Sequence, residues 1–304
     1  MMLRNQFTER FFNRVPLVDY TIWDTYDQYP EEYSQFFNMK KSSREGENVL
    51  GMTGLGYLVE KGEDELVQYD RIFQGPKSQY IHTEYALAVS TSQTAMEDDL
   101  DGILKMGAQA LGRSARYTPE LVAAAIINNG KTASAGLAAD KFVAARSEAL
   151  FSASHAMTNG GTYSNLGTAD FSITSLRAAL NNIARIPDER GKLVRFTPSV
   201  IFAAPEMQYV MEELLNSAGK SGTADNDLNA FKTLFNLTAG QWHYLTDLDA
   251  WYMQCAGHEM NFYWRVPFAT DHDTDFDTGG SKTKIRGRFS CGYSAWRGMY
   301  ASTP

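Results

Sequence analysis

Leu150-Phe151-Ser152-Ala153-Ser154-His155 opens the stretch that decides the fold, and Ala250-Trp251-Tyr252-Met253-Gln254-Cys255 closes it. A Gly/Asn/Ser/Thr-rich link, Met157 to Thr168, follows the opening. Ser172 to Leu180 then carries apolar residues at helical spacing behind hydroxyl residues, which predicts an N-capped amphipathic helix. Pro187-Asp188-Glu189-Arg190-Gly191 reads as a charged turn. Pro198 to Ala204 is short, apolar and partly β-branched, the pattern of a buried strand. Pro205-Glu206 starts a second helix through Leu215, since proline is tolerated in a first helical turn. A polar loop, Asn216 to Asn229, leads to two strand-like runs, Gln241 to Leu245 and Ala250 to Cys255. By pattern alone this is an α/β module.

The order of its pieces resembles the central domain of tailed-phage major capsid proteins, and most of all the Mu-type major head subunit. The residues that carry the resemblance are Leu150 to His155, Ser164-Asn165, Ser175 to Ala179, Pro198 to Pro205, and Leu245 to Tyr252. The resemblance extends over Tyr33 to Ser302. It implies an α+β, HK97-like capsid fold with an N-arm, an extended β-hairpin loop, a peripheral domain with a spine helix, and a central axial domain.

Composition agrees with a subunit that needs shape rather than a reactive centre. With 43% hydrophobic and 21% charged residues the chain reads as an ordinary globular protein. A net charge of −8 argues against a sequence-reading nucleic-acid binder, which would carry a basic face. It does not exclude a protein that encloses DNA, because an acidic inner wall avoids tight binding. Met1 to Arg10 lacks the apolar run of a signal peptide, and no apolar stretch approaches a membrane span. Cys255 and Cys291 read as reduced, buried thiols.

Working outward, residues 1–43 scatter Phe11, Phe12, Trp23, Tyr33, Phe36 and Phe37 without a sustained period. Such a segment must lie on another surface, either its own subunit or a neighbour. The resemblance favours an arm that reaches a neighbour. Leu55 to Val59 and Glu65 to Ile72 flank the acidic Glu60 to Asp64, which predicts a long β-hairpin needing a partner. In the family this position holds the loop that lies across an adjacent subunit. Thr94 and Glu97 fit a capping box, and Leu100, Ile103, Leu104, Ala108 and Leu111 form the stripe of a helix resembling the family's spine. Gly102, Gly107, Gly112 and Pro119 predict a kink or break near Tyr117, with Thr118-Pro119-Glu120 as a fresh helix start. Phe262 to Val266 is a strand, Thr270 to Gly280 an acidic turn, and Thr283 to Tyr300 a long strand pair or bent strand. The resemblance assigns these last strands to the peripheral framework.

Motifs for chemistry fail when tested. Asp271 to Asp277 suggests a calcium loop, but the required sixth-position glycine and twelfth-position glutamate are Thr278 and Lys284. Gly130-Lys131-Thr132 and Gly219-Lys220-Ser221 look like phosphate-loop endings, yet the earlier glycine is replaced by Ala125 and Leu214. His82, His155, His243, His258 and His272 are scattered, and His155 reads as a hydrogen-bonded structural residue.

The domain expectation is an N-terminal arm at 1–43, an extended loop at 44–90, a peripheral domain at 91–140 and 257–304, and an axial domain at 141–256. The resemblance implies a major head protein, not an enzyme, that assembles in the bacterial host cytoplasm. Copies would form pentamers and hexamers of an icosahedral shell around double-stranded DNA, without sequence-specific binding, cofactor, metal or membrane. Portal, scaffold and decoration proteins would be partners, with a separate scaffold expected if Met1 is the native start. Candidate inter-subunit contacts are Tyr57, Leu58, Lys61, Glu63, Asp64, Tyr69 and Arg71 of the extended loop. Gly219, Lys220, Gly222 and Asp225 are candidates in the axial loop, and Phe11, Phe12 and Trp23 in the arm. Two other readings remain open at this point: an encapsulin-type nanocompartment shell of the same fold, and a soluble α/β hydrolase or transferase.

Overall fold

The computed structural model describes residues 4–52, 54–72, 74–92, 94, 101–132, 142–144, 148–157, 160–216, 237–275, 277 and 280–304. Helix α1, Arg4–Gln28, leads to strands β1, Asn38–Lys41, β2, Gly46–Met52, β3, Gln74–Ile81, and β4, Thr83–Thr91. Helix α2, Asp101–Asn128, is followed by four short strands: β5, Phe142–Val143, β6, His155–Ala156, β7, Thr162–Tyr163, and β8, Leu166–Gly167. Then come α3, Ile173–Ile183, β9, Thr197–Ala203, α4, Gln208–Asn216, and β10, Thr238–Gln241. The chain closes with β11, Trp251–Ala256, β12, Met260–Thr274, β13, Ser281–Tyr293, and β14, Met299–Ser302.

Two sheets carry the fold. One runs β1-β12-β13-β4, and the other runs β10-β9-β11-β14-β8. In the first, the β12–β13 ribbon changes character along its length. From Ser281 to Gly287 buried and exposed residues alternate, so one face meets solvent; from Phe289 to Tyr293 every residue is covered save the half-turned Arg288 before them. Asp271, His272 and Asp273 lie opposite Lys284, Thr283 and Lys282 within that ribbon. The acidic segment is therefore mostly strand, and its reversal lies beyond Thr274, where Asp275 N–H donates to the Gly280 carbonyl at 2.8 Å. Asp271 faces Lys284 at 3.3 Å and Asp275 faces Lys282 at 2.5 Å, so lysines answer these carboxylates.

The second sheet sits inside the larger core, to which α3 contributes Leu176 and Ala179 and α4 contributes Met211 and Leu215. Ser172 caps α3 as its pattern predicts: its hydroxyl accepts from Ser175 N–H at 3.2 Å, and Ser175 Oγ accepts from Ser172 N–H at 2.8 Å. Leu176, Ala179, Leu180 and Ile183 recur at helical spacing and are buried. Gln241 ends its strand; Trp242 to Leu245 turns away, because the Trp242 indole is drawn into the core rather than along the sheet.

Four expectations change. First, α2 runs unbroken through Tyr117 and Pro119. Proline removes one backbone donor, but α2 is held by packing against α1, β4 and β13. Gly112 is there for close approach, since a Cβ would stand 2.4 Å from the Ile22 carbonyl oxygen of α1. Second, the N-terminal segment packs on its own subunit over its described side chains. Val18 and Ile22 join Ala108, Leu111, Ala115 and Ile285, with Trp23 beside them. Tyr33, Phe36 and Phe37 enter the main core. Arg116 fastens the end of α1, donating to the Tyr29 carbonyl and pairing with Glu31, each at 2.9 Å. Third, β14 joins the β11–β9 sheet rather than the peripheral one, antiparallel to β11 and parallel to β8. Fourth, 55–59 and 65–72 are not strands. The hairpin ladder ends with Met52 opposite Gln74. Beyond it the chain has no cross-strand partner face to bury, so its apolar residues alone do not impose a ladder. Glu97 of the capping box and the axial-loop residues Gly219, Lys220, Gly222 and Asp225 lie outside the described residues.

Candidate assembly surface

A β-hairpin base and an open tip make up the extended loop. At the base, Tyr80 is buried against Phe142 and Tyr263, and its hydroxyl meets Ser294 Oγ at 2.9 Å. Beyond the base every residue from 54 to 72 is exposed. Tyr57, Leu58, Val59, Leu66, Val67 and Tyr69 all show most of their surface, with Leu66 at 94% and Tyr69 at 96%, so the described residues of their own subunit leave them largely uncovered. Isolated exposed apolar residues are ordinary; six within one short loop form a candidate contact surface. Lys61, Glu63, Asp64 and Arg71 of the same loop are exposed too. The loop candidates are thus brought together. Of the arm candidates, Trp23 is half-buried against Tyr26 of its own helix, and the side chains of Phe11 and Phe12 lie outside the described residues.

The tip touches its own subunit at the charged turn before β9. Arg190 pairs with Asp70 and also donates to the Arg71 carbonyl at 2.7 Å. Lys192 donates to the Leu55 carbonyl and stands 5.6 Å above the Tyr57 ring. Asp70 further accepts from Gly56 N–H at 2.6 Å and Arg71 N–H at 2.8 Å. The Arg190 guanidinium, with these two amides, holds the Asp70 carboxyl down at about 2. Because this pKa is depressed, what the pairing contributes is complete above the ordinary aspartate range and is lost as pH falls through about 2. Carboxyl carbon NMR should therefore place the Asp70 midpoint well below 3.8, and Arg190→Ala should return it upward. A wild-type midpoint at the ordinary value would contradict the pairing.

Sequence patterning missed the turn's role. Pro187 to Gly191 reads only as a reversal, and nothing local says that Arg190 and Lys192 reach a loop more than a hundred residues earlier.

A cleft of about 420 Å³ lies between the loop base and the central body, with Leu50, Met52, Glu148, Phe196, Glu259 and Trp296 among its lining residues. Its acids Asp188 and Glu189 are already engaged: Asp188 accepts from Arg190 N–H and Lys192 N–H, and Glu189 pairs with Arg297 at 2.9 Å. The thiol alternative is weakened by burial, which pushes Cys255 and Cys291 up to about 12, far from the thiolate form a nucleophile needs. Both cysteines are free. His155 is a structural residue: its ring stacks on Trp296 at 4.0 Å and Nε2 lies 2.8 Å from Asn165 Oδ1. His258, pushed down to about 4 by burial, takes the Met260 N–H on Nδ1 at 3.2 Å. Glu120, which sequence reading took for a helix start, is a buried carboxylate holding Glu32 N–H, Tyr33 N–H and the Trp242 indole N–H. Among the described residues no cluster of histidine, cysteine and carboxylate side chains could hold a metal, and no helix is long and apolar enough to cross a membrane.

A family model described as phage capsid protein matches residues 77–302. No curated protein matches the chain. Among solved structures, the capsid of a native GTA particle is similar with a TM-score of 0.59 at 12% identity, over 90% of this chain and 89% of that one. The capsid of the empty GTA particle gives 0.55 at 12% identity, over 90% and 89%. The asymmetric unit of the mature capsid of bacteriophage PhiM1 gives 0.52 at 11% identity, over 90% and 87%. At such identities the likeness concerns the fold.

Proposed function

The chain belongs to the phage capsid protein family, has the HK97-like α+β fold, and is a major capsid protein, a structural subunit rather than an enzyme; from this we propose how it builds its shell. Capsid subunits of this kind assemble into closed oligomeric shells and reside in the virion. Pentamers and hexamers of this chain close an icosahedral head around the double-stranded DNA of a tailed phage or prophage. Assembly takes place in the host cytoplasm, with portal, scaffold and decoration proteins as partners. The family match does not separate a Mu-type branch from the rest.

One observation carries the shell geometry: the tip at 54–72 exposes six large apolar or aromatic side chains that its own subunit leaves uncovered. A second copy is the partner such a face needs. The net acidic chain suits enclosure of DNA without a tight grip on it. In the domain division we favour, 44–90 is the inter-subunit loop, 91–140 with most of the C-terminal part forms the periphery, and 141–256 lies toward the capsomer axis. Residues 299–302 go with the axial sheet.

Purified protein should sediment as shells, and electron micrographs should show closed particles built of pentamers and hexamers. Particles from an induced host should retain DNA after nuclease treatment. Monomers or dimers under every salt and pH would sink the shell reading, and intact shells without protected DNA would sink the enclosed genome.

A further inference from the structure

The contacts between the loop tip and its own subunit differ in kind from the surface the tip presents. Among the described residues those contacts are polar or made by a cation, while the apolar side chains stay largely exposed. A contact that restrained assembly would cover the sticky face. We infer that Arg190 and Lys192 form a strut that holds the extended loop of their own subunit in a presenting position, so that its apolar face is ordered before a second copy arrives. This rests on the reading of the tip as the inter-subunit surface.

The post that bears the strut is built to stay still. Asp188 Oδ1 accepts from both Arg190 N–H and Lys192 N–H at 2.8 Å, folding the turn around its own carboxylate. Its backbone closes through Asp188 N–H to the Lys192 carbonyl at 2.6 Å and Val194 N–H to the Ile186 carbonyl at 2.9 Å. Arg297, just before β14, buttresses it from behind, donating to the Pro187 carbonyl and pairing with Glu189, each at 2.9 Å. The turn is thus tied to the central sheet, and from it Arg190 and Lys192 reach outward to the loop.

The loop is shaped to receive them. A Cβ on Gly56 would stand 3.2 Å from Asp70 Oδ2 and 3.5 Å from Arg190 Nη1, so the absence of a side chain there lets the backbone close over the ion pair. Arg190 bridges two points, the Asp70 carboxylate and the Arg71 carbonyl, on one limb of the loop. Lys192 holds the Leu55 carbonyl and the Tyr57 ring on the other limb. Both limbs are gripped, and the segment carrying Leu58 and Leu66 projects beyond the grip. Ordering a loop before association removes part of the entropy cost from the association step.

The test uses the full chain, kept dilute as unassembled subunit, with thermolysin cleaving at the bare Leu58 and Leu66. Arg190→Ala should raise the cleavage rate within 54–72 by about two- to fivefold, the upper part of the range for loss of an exposed ion pair. Its melting temperature should stay at the wild-type value, and its shell formation at limiting concentration should slow. Exchanging the charges, Asp70→Arg with Arg190→Asp, should bring both rates back toward wild type, which a merely structural role for Arg190 would not do. Cleavage of Arg190→Ala at the wild-type rate would overturn the strut. Faster cleavage together with faster shell formation would overturn it also, by showing a brake. The cleavage readout precedes assembly, so a failure of the tip as an inter-subunit surface would appear separately, as normal shells from a subunit without the tip.

Discussion

Replacing residues 54–72 with a short Gly/Ser linker leaves a soluble subunit that melts cooperatively, and abolishes closed shells. Every residue removed is exposed, and the described contacts of the tip with the body are the polar ones made by Arg190 and Lys192. Exposed pairs of this type are screened by solvent and contribute little, so the fold loses little. The ladder from Gly46 to Met52 against Gln74 to Ile81 remains, and with it buried Tyr80. The loss on the assembly side is far larger. Fully burying one leucine, valine or aromatic side chain is worth about 1.5–3 kcal/mol, and six are deleted. Part of that gain offsets the ordering of the loop and the lost freedom of the subunit, but the remainder recurs at every contact in a shell. Calorimetry and sedimentation check the two halves independently. Normal particles from the shortened chain would refute the inter-subunit role, and failure to fold would place the tip in the core.

What could be read from the residues follows from how local the deciding interactions are. Ser172 and Ser175 announce the cap of α3 because both halves of the box lie three residues apart. β9 is legible because an apolar, β-branched run flanked by prolines has few alternatives. Where distant contacts decide, pattern misleads. Gly112 and Pro119 look like helix breakers, yet Gly112 makes room for the α1 backbone, a reason invisible until the two helices are side by side. The tip at 55–72 has the composition of strands but no surface of its own subunit on which to form them. Among the described residues of the N-terminal segment a single period is missing because the buried apolar members serve two surfaces, the α2 groove through Val18 and Ile22 and the main core through Tyr33, Phe36 and Phe37. The exposure of Tyr57, Leu58 and Tyr69 was readable, since they have no periodic partner. Its mounting on Arg190 and Lys192 was not, because it joins segments far apart in the chain.

Glu120→Ala should be among the most damaging single substitutions in the body of the subunit, lowering its unfolding free energy by about 3–5 kcal/mol. Glu120 lies in α2, 1% exposed, and joins three parts of the chain. One carboxylate oxygen accepts from Glu32 N–H at 2.6 Å, and the other from Tyr33 N–H at 3.1 Å and Trp242 Nε1–H at 3.0 Å. Alanine leaves the Tyr33 amide and the Trp242 indole buried without an acceptor, and each such donor costs about 1–3 kcal/mol. The aromatic cluster around them, where Phe36 stacks on Trp242 at 5.0 Å, also loses the group that sets the indole's orientation. Burial raises the Glu120 pKa above the ordinary glutamate value, against the opposing pull of these donors. A raised carboxyl pKa means that the folded chain holds the proton more tightly. The stability this lends is complete below the unfolded pKa and declines as pH rises through the folded one, so the deficit of the alanine variant should be largest at the acidic end. Glu120→Gln should fall between, since it keeps one acceptor oxygen but turns an amide N–H₂ toward one of the donors. Urea denaturation of the wild type, both variants and the double variant Glu120→Ala with Trp242→Phe measures the effect. Removing the indole donor should cost less in the alanine background than in the wild type, because there it no longer breaks a hydrogen bond. An alanine variant within about 1 kcal/mol of wild type, the range of an ordinary surface substitution, would show that Glu120 does not hold the N-terminal segment to the central sheet.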